Sequence, residues 1–203
     1  MAWPDLQRRL LHHLMPQPNQ DDPTPAISAS LKKERHARDW SLADLSERSG
    51  VSKAMISKIE RGEASPTATV LGKLSGAFGL ALSALLALAE KPGDRLRRRQ
   101  DQPVWQDPET GYLRRTVSPA DPGVLELIEI ELPPNVRVPY PATAFAFQRQ
   151  QILVTRGTLV FQEGATEHRL AAGDCLQLGP PADCSFFNPG LRACKYLVAL
   201  VRA

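Results

Sequence analysis

A chain of 203 residues is long enough for one or two domains, each with a core of its own. Hydrophobic residues at 42% and charged residues at 23% are ordinary for a globular chain and exclude global disorder. The formal charge of +3, from 25 Lys/Arg against 22 Asp/Glu, permits a nucleic-acid partner without requiring one.

The chain reads as four stretches. Residues 1–25 place Trp3, Leu6, Leu10, Leu11 and Leu14 at roughly helical spacing before a Pro/Asn/Asp tail, which suits a short amphipathic helix or a frayed arm. They lack an apolar run followed by a small-residue cleavage site, so no secretion signal is expected. Residues 26–90 read as closely spaced helices. The uncharged run Leu74–Ala89 falls short of the ~20 residues of a membrane helix and is broken by Gly76 and Gly79, so it reads as buried helix. Residues 91–102 open with Pro-Gly and carry Arg95, Arg97, Arg98 and Arg99. They read as a basic linker, either solvated or touching phosphates.

From residue 103 to 203 the pattern becomes β. Val124–Leu132 (VLELIEIEL) sets Ile128, Ile130 and Leu132 on one side and Glu129 and Glu131 on the other, the period of a half-exposed strand. Further strands are expected at Ile152–Thr155, Thr158–Gln162, Cys175–Leu178 and Lys195–Arg202. Arg156-Gly157, Glu163-Gly164, Gly173-Asp174 and Asn188-Pro189-Gly190 separate them, as in a sandwich or barrel. Cys175, Cys184 and Cys194 form an odd set without CxxC spacing, which fits free thiols in a reducing, cytoplasmic setting.

The most specific signal is Leu42–Gly62, LADLSERSGVSKAMISKIERG. Two helices crossing at a tight turn need an apolar residue beside a small one in the first helix, met by Leu45 and Ser46. Gly50 supplies a residue tolerant of positive φ, Val51 an apolar plug, and Ser52 an N-cap. Met55 or Ile56, then Ile59, recur as a buried face, and Gly62 ends the helix.

With its Leu-Lys-x-x-Arg first helix, Gly-Val-Ser turn, Ile-Glu-Arg-Gly exit and Ser65-Pro66-Thr67 start to the next helix, Leu31–Leu85 resembles the Cro/C1-type (XRE) helix-turn-helix family. The resemblance implies a five-helix, lambda-repressor-like module with helices near 27–37, 41–48, 52–60, 67–77 and 82–88. It also implies an ion pair between Arg35 and Glu60. It departs from the family at Ser46, where Ala is usual, and at Leu42, where some members carry a DNA-contacting Gln. The second helix of the motif is then the recognition helix, entering the major groove N-terminus first. Lys53, Ala54, Ser57 and Lys58 face the bases, while Ser41, Ser52, Ser57 and Arg61 sit at phosphate positions. The alternative is a solvated helix face, the ordinary setting of residues such as Lys53 and Lys58. Nine Lys/Arg against seven Asp/Glu in residues 26–90 make the module only mildly basic, so double-stranded operator DNA is expected to be bound by two copies.

Residues 103–203 resemble the double-stranded β-helix of the cupin superfamily, through Gln148–Gly157, Leu170–Asp174 and Cys184–Gly190. Overall this implies a multidomain α + β chain, with the helix-turn-helix followed by an all-β jelly-roll barrel. A metal cupin draws two His and a Glu from its first motif and a His from its second. Here the corresponding region Ala142–Phe147 has no histidine, Gln150 stands for the Glu, and Cys184 for the last His. His168 reads as an exposed residue on another strand or hairpin. No metal, cofactor or catalytic residue is therefore expected. Tyr140, Phe145, Phe147, Gln150, Cys184 and Phe186 would line the barrel mouth, as an effector pocket or as an ordinary packed interior.

The leading expectation is a transcriptional regulator, a repressor by analogy, that dimerises through the barrel, with effector sensing or dimerisation alone as the barrel's role. The alternatives are a cupin-fold metal-dependent enzyme with an accessory DNA-binding module, and an antitoxin or phage-type repressor without small-molecule input.

Overall fold

A computed structural model describes residues 24–80, 82, 85, 95–119 and 125–202. Four α-helices are present among them: α1 Thr24–His36, α2 Leu42–Ser49, α3 Lys53–Glu60 and α4 Ala68–Phe78. Ten strands follow: β1 Val104–Gln106, β2 Leu113–Thr116, β3 Leu125–Leu132, β4 Arg137–Tyr140, β5 Gln148–Arg156, β6 Thr158–Glu163, β7 Thr166–Ala171, β8 Cys175–Gln177, β9 Cys184–Phe187 and β10 Cys194–Arg202. The fifth helix expected near 82–88 lies outside the described residues except for Leu82 and Leu85, both helical. Most of the N-terminal arm and residues 91–94 of the linker also lie outside them.

Local chemistry sets the helix ends. Ser41 caps α2 in a reciprocal box with Asp44, and Gly50 closes it at φ 66°, the left-handed turn that a β-carbon disfavours. Ser52 caps α3 by accepting from Met55 N, and Thr67 caps α4 by accepting from Val70 N. Beyond α3, Gly62 turns back at φ 71°, with Glu63 N donating to Lys58 O. The buried faces recur at helical spacing: Ile27 and Leu31, Leu45, Ile56 and Ile59, then Leu71, Leu74 and Phe78, with Val51 plugging the turn. The alternative left at the second helix resolves to Ile56, at 1% exposure, because Met55 faces outward at 39%.

The strands form a six-stranded sheet in the order β1-β2-β3-β10-β5-β8 and a four-stranded sheet in the order β4-β9-β6-β7. Every pairing is antiparallel. Ile128, Ile130 and Leu132 of β3 point inward, as their period of two predicts. On the other face Glu129 meets Arg99 and Arg115, and Glu131 meets Lys195 at 2.7 Å. One arginine of the basic run is thus docked on the sheet. The segment Ala142–Phe145 is a 3-10 turn and not a strand. His168, expected to be exposed, is half-buried, stacked on Phe161.

The helical and β parts are held together by more than the chain. Asp107, 2% exposed, lies in the turn after β1 and accepts from Ala68 N at 2.6 Å, capping the first turn of α4. Thr69 Oγ1 donates to Pro139 O at 3.3 Å. The glycines of α4 let the backbones approach. A β-carbon on Gly72 would lie 2.8 Å from Tyr140 Cδ1, and one on Gly76 would lie 2.5 Å from Thr143 Oγ1. No described helix is long and apolar enough to cross a membrane.

Candidate nucleic-acid interface and intersheet cavity

The outward face of α3 is built by what its inward face does. Ile56 and Ile59 are buried on the side where α3 packs on α1 and α2, which leaves Lys53, Ala54 and Lys58 exposed and Ser57 half-buried on the other. The helix is pinned at its C-terminal end. Arg35 of α1 grips Glu60 in a fork, Nε to Oε1 at 2.8 Å and Nη2 to Oε2 at 2.7 Å. Its Nη1 donates to Trp40 O at 2.8 Å. The Glu60 hydrogen bond raises the Arg35 pKa further, with burial opposing it. A planar fork on a carboxylate fixes orientation as well as distance, so the pair implied by the family resemblance sets the angle of α3 on the domain.

The expected phosphate positions differ in readiness. Ser52 uses its oxygen as an acceptor for Met55 N, so its hydroxyl proton remains able to donate outward. Ser41 donates both its N–H and its O–H to Asp44, each at 2.7 Å, and those bonds hold the Asp44 carboxyl below its ordinary range. Ser41 reaches a phosphate only by releasing Asp44. Arg61 is turned toward Glu63, with bonds of 2.6 and 2.8 Å, and toward Ser57 Oγ. Both members of the Arg61–Glu63 pair are about half exposed, at 53% and 52%, so exchange of Glu63 for a phosphate meets little resistance. Two neighbours were not expected at this surface: Met55, read as a possible core residue but exposed beside Ala54, and Arg48, whose guanidinium stacks 4.4 Å over the Trp40 ring. Neither carries a local motif.

In the β part the six expected mouth residues separate. Tyr140, Phe145, Gln150 and Phe186 line a cavity of about 70 Å³ between the sheets. Phe147 does not. It is 49% exposed and packs on α4 beside Gly79, because the 3-10 turn breaks the alternation that would have set it beside Phe145. Cys184 lies in a wider, open cleft of about 640 Å³ with Glu163 and Gln177, a cleft that Gln150 also borders. Burial, then the charges of Glu163 and Asp183, push its thiol up to about 12, so it carries almost no thiolate at neutral pH. All three cysteines are free thiols.

Sequence reasoning missed Arg114. Its register, Arg114 opposite Ile130, turns it inward with that residue, and it lines the cavity at 5% exposure. In the string LRRT it reads as a surface charge. Tyr112 also lines the cavity, its hydroxyl 2.8 Å from that of Tyr140. Burial pushes the Tyr112 phenol up to about 12.

The positions that would hold a cupin metal carry no matching donor set. At residues 142–147, 150 and 184 the polar side chains are Thr143, Gln150 and Cys184, and Thr143 packs against α4. Among the described residues no group of three or more His, Cys, Asp or Glu stands close enough to hold a metal ion. These residues do not fit a transition-metal centre of that kind.

Comparison with known proteins sharpens the helical half. The family model HTH_3, Helix-turn-helix, matches residues 31–85. The HTH-type transcriptional regulator SutR of Escherichia coli is 43% identical over 61 residues, covering 30% of this chain and 34% of that protein. The chain spans about a third of the length of the curated relatives it matches. A crystal structure of an HTH_3 family transcriptional regulator from Vibrio cholerae is similar over 88% of this chain and 96% of that one. Its TM-score is 0.70 at 24% identity, a likeness of fold. Hydroxypropylphosphonic acid epoxidase from S. wedmorenis is similar over 90% of this chain and 100% of that one, with a TM-score of 0.45 and 16% identity, too loose a likeness to carry a function. Over residues 31–85, therefore, this chain carries a helix-turn-helix of the HTH_3 family.

Proposed function

We propose that this protein is a sequence-specific DNA-binding transcriptional regulator, acting as a repressor in the cytoplasm. The observation that carries the reading is the exposed face of α3, capped by Ser52 and clamped by Arg35–Glu60, inside the segment that matches HTH_3. The N-terminus of α3 enters the major groove. Lys53 and Lys58 reach guanine O6 and N7, Ala54 meets a thymine methyl, and Ser57 adds a short polar contact. Ser52 and Arg61 fix the register on phosphates, Arg61 after releasing Glu63, and Ser41 does so only at the expense of its box with Asp44. A single mildly basic module binds weakly, so a homodimer reads two half-sites one helical turn apart.

The β part is read as a cupin-type jelly-roll barrel without a metal. It supplies the dimer contact and takes an effector in the Arg114 cavity. The α4 junction supports coupling between the two parts: Tyr140 lines the cavity and touches Gly72 of the helix that packs against α2. A ligand preferring one position of Tyr140 shifts the separation of two recognition helices by its differential affinity.

The test is selection of bound sequences from a random duplex pool by the full-length protein, followed by titration at low and moderate salt. A palindromic consensus, and affinity that falls steeply with salt, are expected. Lys53→Ala relaxes base preference at one position per half-site, while Arg61→Ala weakens all sequences alike. No enriched sequence, or an unchanged consensus with Lys53→Ala, refutes the assignment of α3.

A further inference from the structure

The cavity contains a charge that its own packing does not need. Its walls are apolar strand residues, such as Ile128 and Val198, yet Arg114 projects among them at 5% exposure. Its contacts are loose: Nη1 to Thr116 Oγ1 is 3.5 Å, and Nη2 to Glu126 Oε1 is 3.8 Å. Glu126 therefore balances the charge without accepting a close hydrogen bond from the guanidinium at that contact. A buried guanidinium so placed costs more than a leucine or methionine of similar volume would. Such a fork is suited to clamping a planar carboxylate with two parallel bonds. A second polar feature lines the same cavity. Gln148 donates from Nε2 to Ala144 O, and its buried Oε1 has no hydrogen-bond partner. An acceptor without a donor, in the same cavity as a donor fork, describes the two ends of a small polar ligand.

We infer that the cavity takes a small organic acid: the carboxylate is held bidentate by Arg114, and a hydroxyl or amide of the ligand donates to Gln148 Oε1. This rests on the reading of the barrel interior as an effector site and names the chemical class of that effector. A volume of about 70 Å³ admits a ligand of a few non-hydrogen atoms. Leu82, from the helical part, and Tyr140, against Gly72, both line the cavity, so the acid touches the DNA-binding module as well as the barrel.

The experiment is calorimetric and thermal-shift titration of the full-length protein with lactate and propionate, against lactamide, propionamide and propanol. Acids are expected to bind and raise Tm, with lactate the tighter of the two, and the neutral compounds to fail. Arg114→Met paired with Glu126→Gln removes both charges together and protects the fold. That variant is expected to lose at least about tenfold in acid affinity, with Arg114→Lys, which keeps the charge but not the fork, falling between. Circular dichroism checks that each variant is folded. Equal binding of acid and amide, or acid binding unchanged in the charge-free pair, overturns the acid assignment and leaves the effector site standing. Failure of every acid and neutral compound overturns both.

Discussion

Replacing Asp107 with alanine removes three acceptor contacts at once: 2.6 Å to Ala68 N, and 2.8 Å each to Glu109 N and Thr110 N. Glu109 is exposed and Thr110 half-buried, so their amides regain water. Ala68 is 1% exposed, so its amide does not, and an N–H left bare in the interior costs roughly 1–3 kcal/mol. Losing the negative charge at the N-terminus of α4 adds up to about 1 kcal/mol, and losing the two turn bonds about another 1. The sum is about 2–5 kcal/mol. Asp107→Asn keeps one carbonyl oxygen and is expected to cost about half as much.

Trp40 reports on the helical part and Trp105 on the β part. Urea unfolding is therefore followed in two single-tryptophan backgrounds, Trp3→Phe/Trp105→Phe and Trp3→Phe/Trp40→Phe. Because Asp107 joins the two parts, both probes are expected to shift to lower urea together. A change below about 0.5 kcal/mol in both backgrounds refutes the cap, a size typical of substitutions without structural consequence. A shift confined to Trp105 refutes the coupling and leaves Asp107 as a local turn residue.

Three further outcomes follow from the same geometry. Glu60→Ala leaves Arg35 without its fork at 12% side-chain exposure and is expected to cost about 2–3 kcal/mol, just short of the fully buried case, measured by thermal or urea unfolding. An unchanged midpoint refutes the clamp on α3. Gly76→Ala gains helix propensity worth about 1 kcal/mol but drives a β-carbon to 2.5 Å from Thr143 Oγ1 and 3.0 Å from its backbone carbon. Net destabilisation of about 1–2 kcal/mol is expected, eased by Thr143→Gly in a double-mutant cycle, and additivity of the two changes refutes the contact.

The last outcome concerns alkaline pH. Tyr112 and Cys184 are pushed up to about 12, and Cys194 to about 11, chiefly by burial. The unfolded chain ionises these groups nearer 9 to 10, while the folded protein keeps them neutral. Their stabilising contribution is thus complete below about pH 8.5 and is lost as pH rises toward 11–12. Urea midpoints are expected to fall between mildly and strongly alkaline buffer; a flat profile contradicts the burial of these groups.

The helix-turn-helix is legible in the order of residues, because that motif is local: a cap, a glycine at positive φ, a plug and a buried face all lie within about twenty residues. Ser52, Gly50, Val51, Ile56 and Ile59 each occupy the place their type predicts. The alternating face of β3 is legible for the same reason. What lies between the two sheets follows from long-range pairing alone. The inward turn of Arg114 depends on pairing with Ile130, which is distant in the chain, and a one-residue slip of register would put that arginine in water. The same holds for Phe147, displaced by a 3-10 turn that packs on α4, and for Asp107, which caps a helix 39 residues away. Caps and turns are written in neighbouring residues. Register and docking are settled by contacts between segments that no short stretch of sequence holds together.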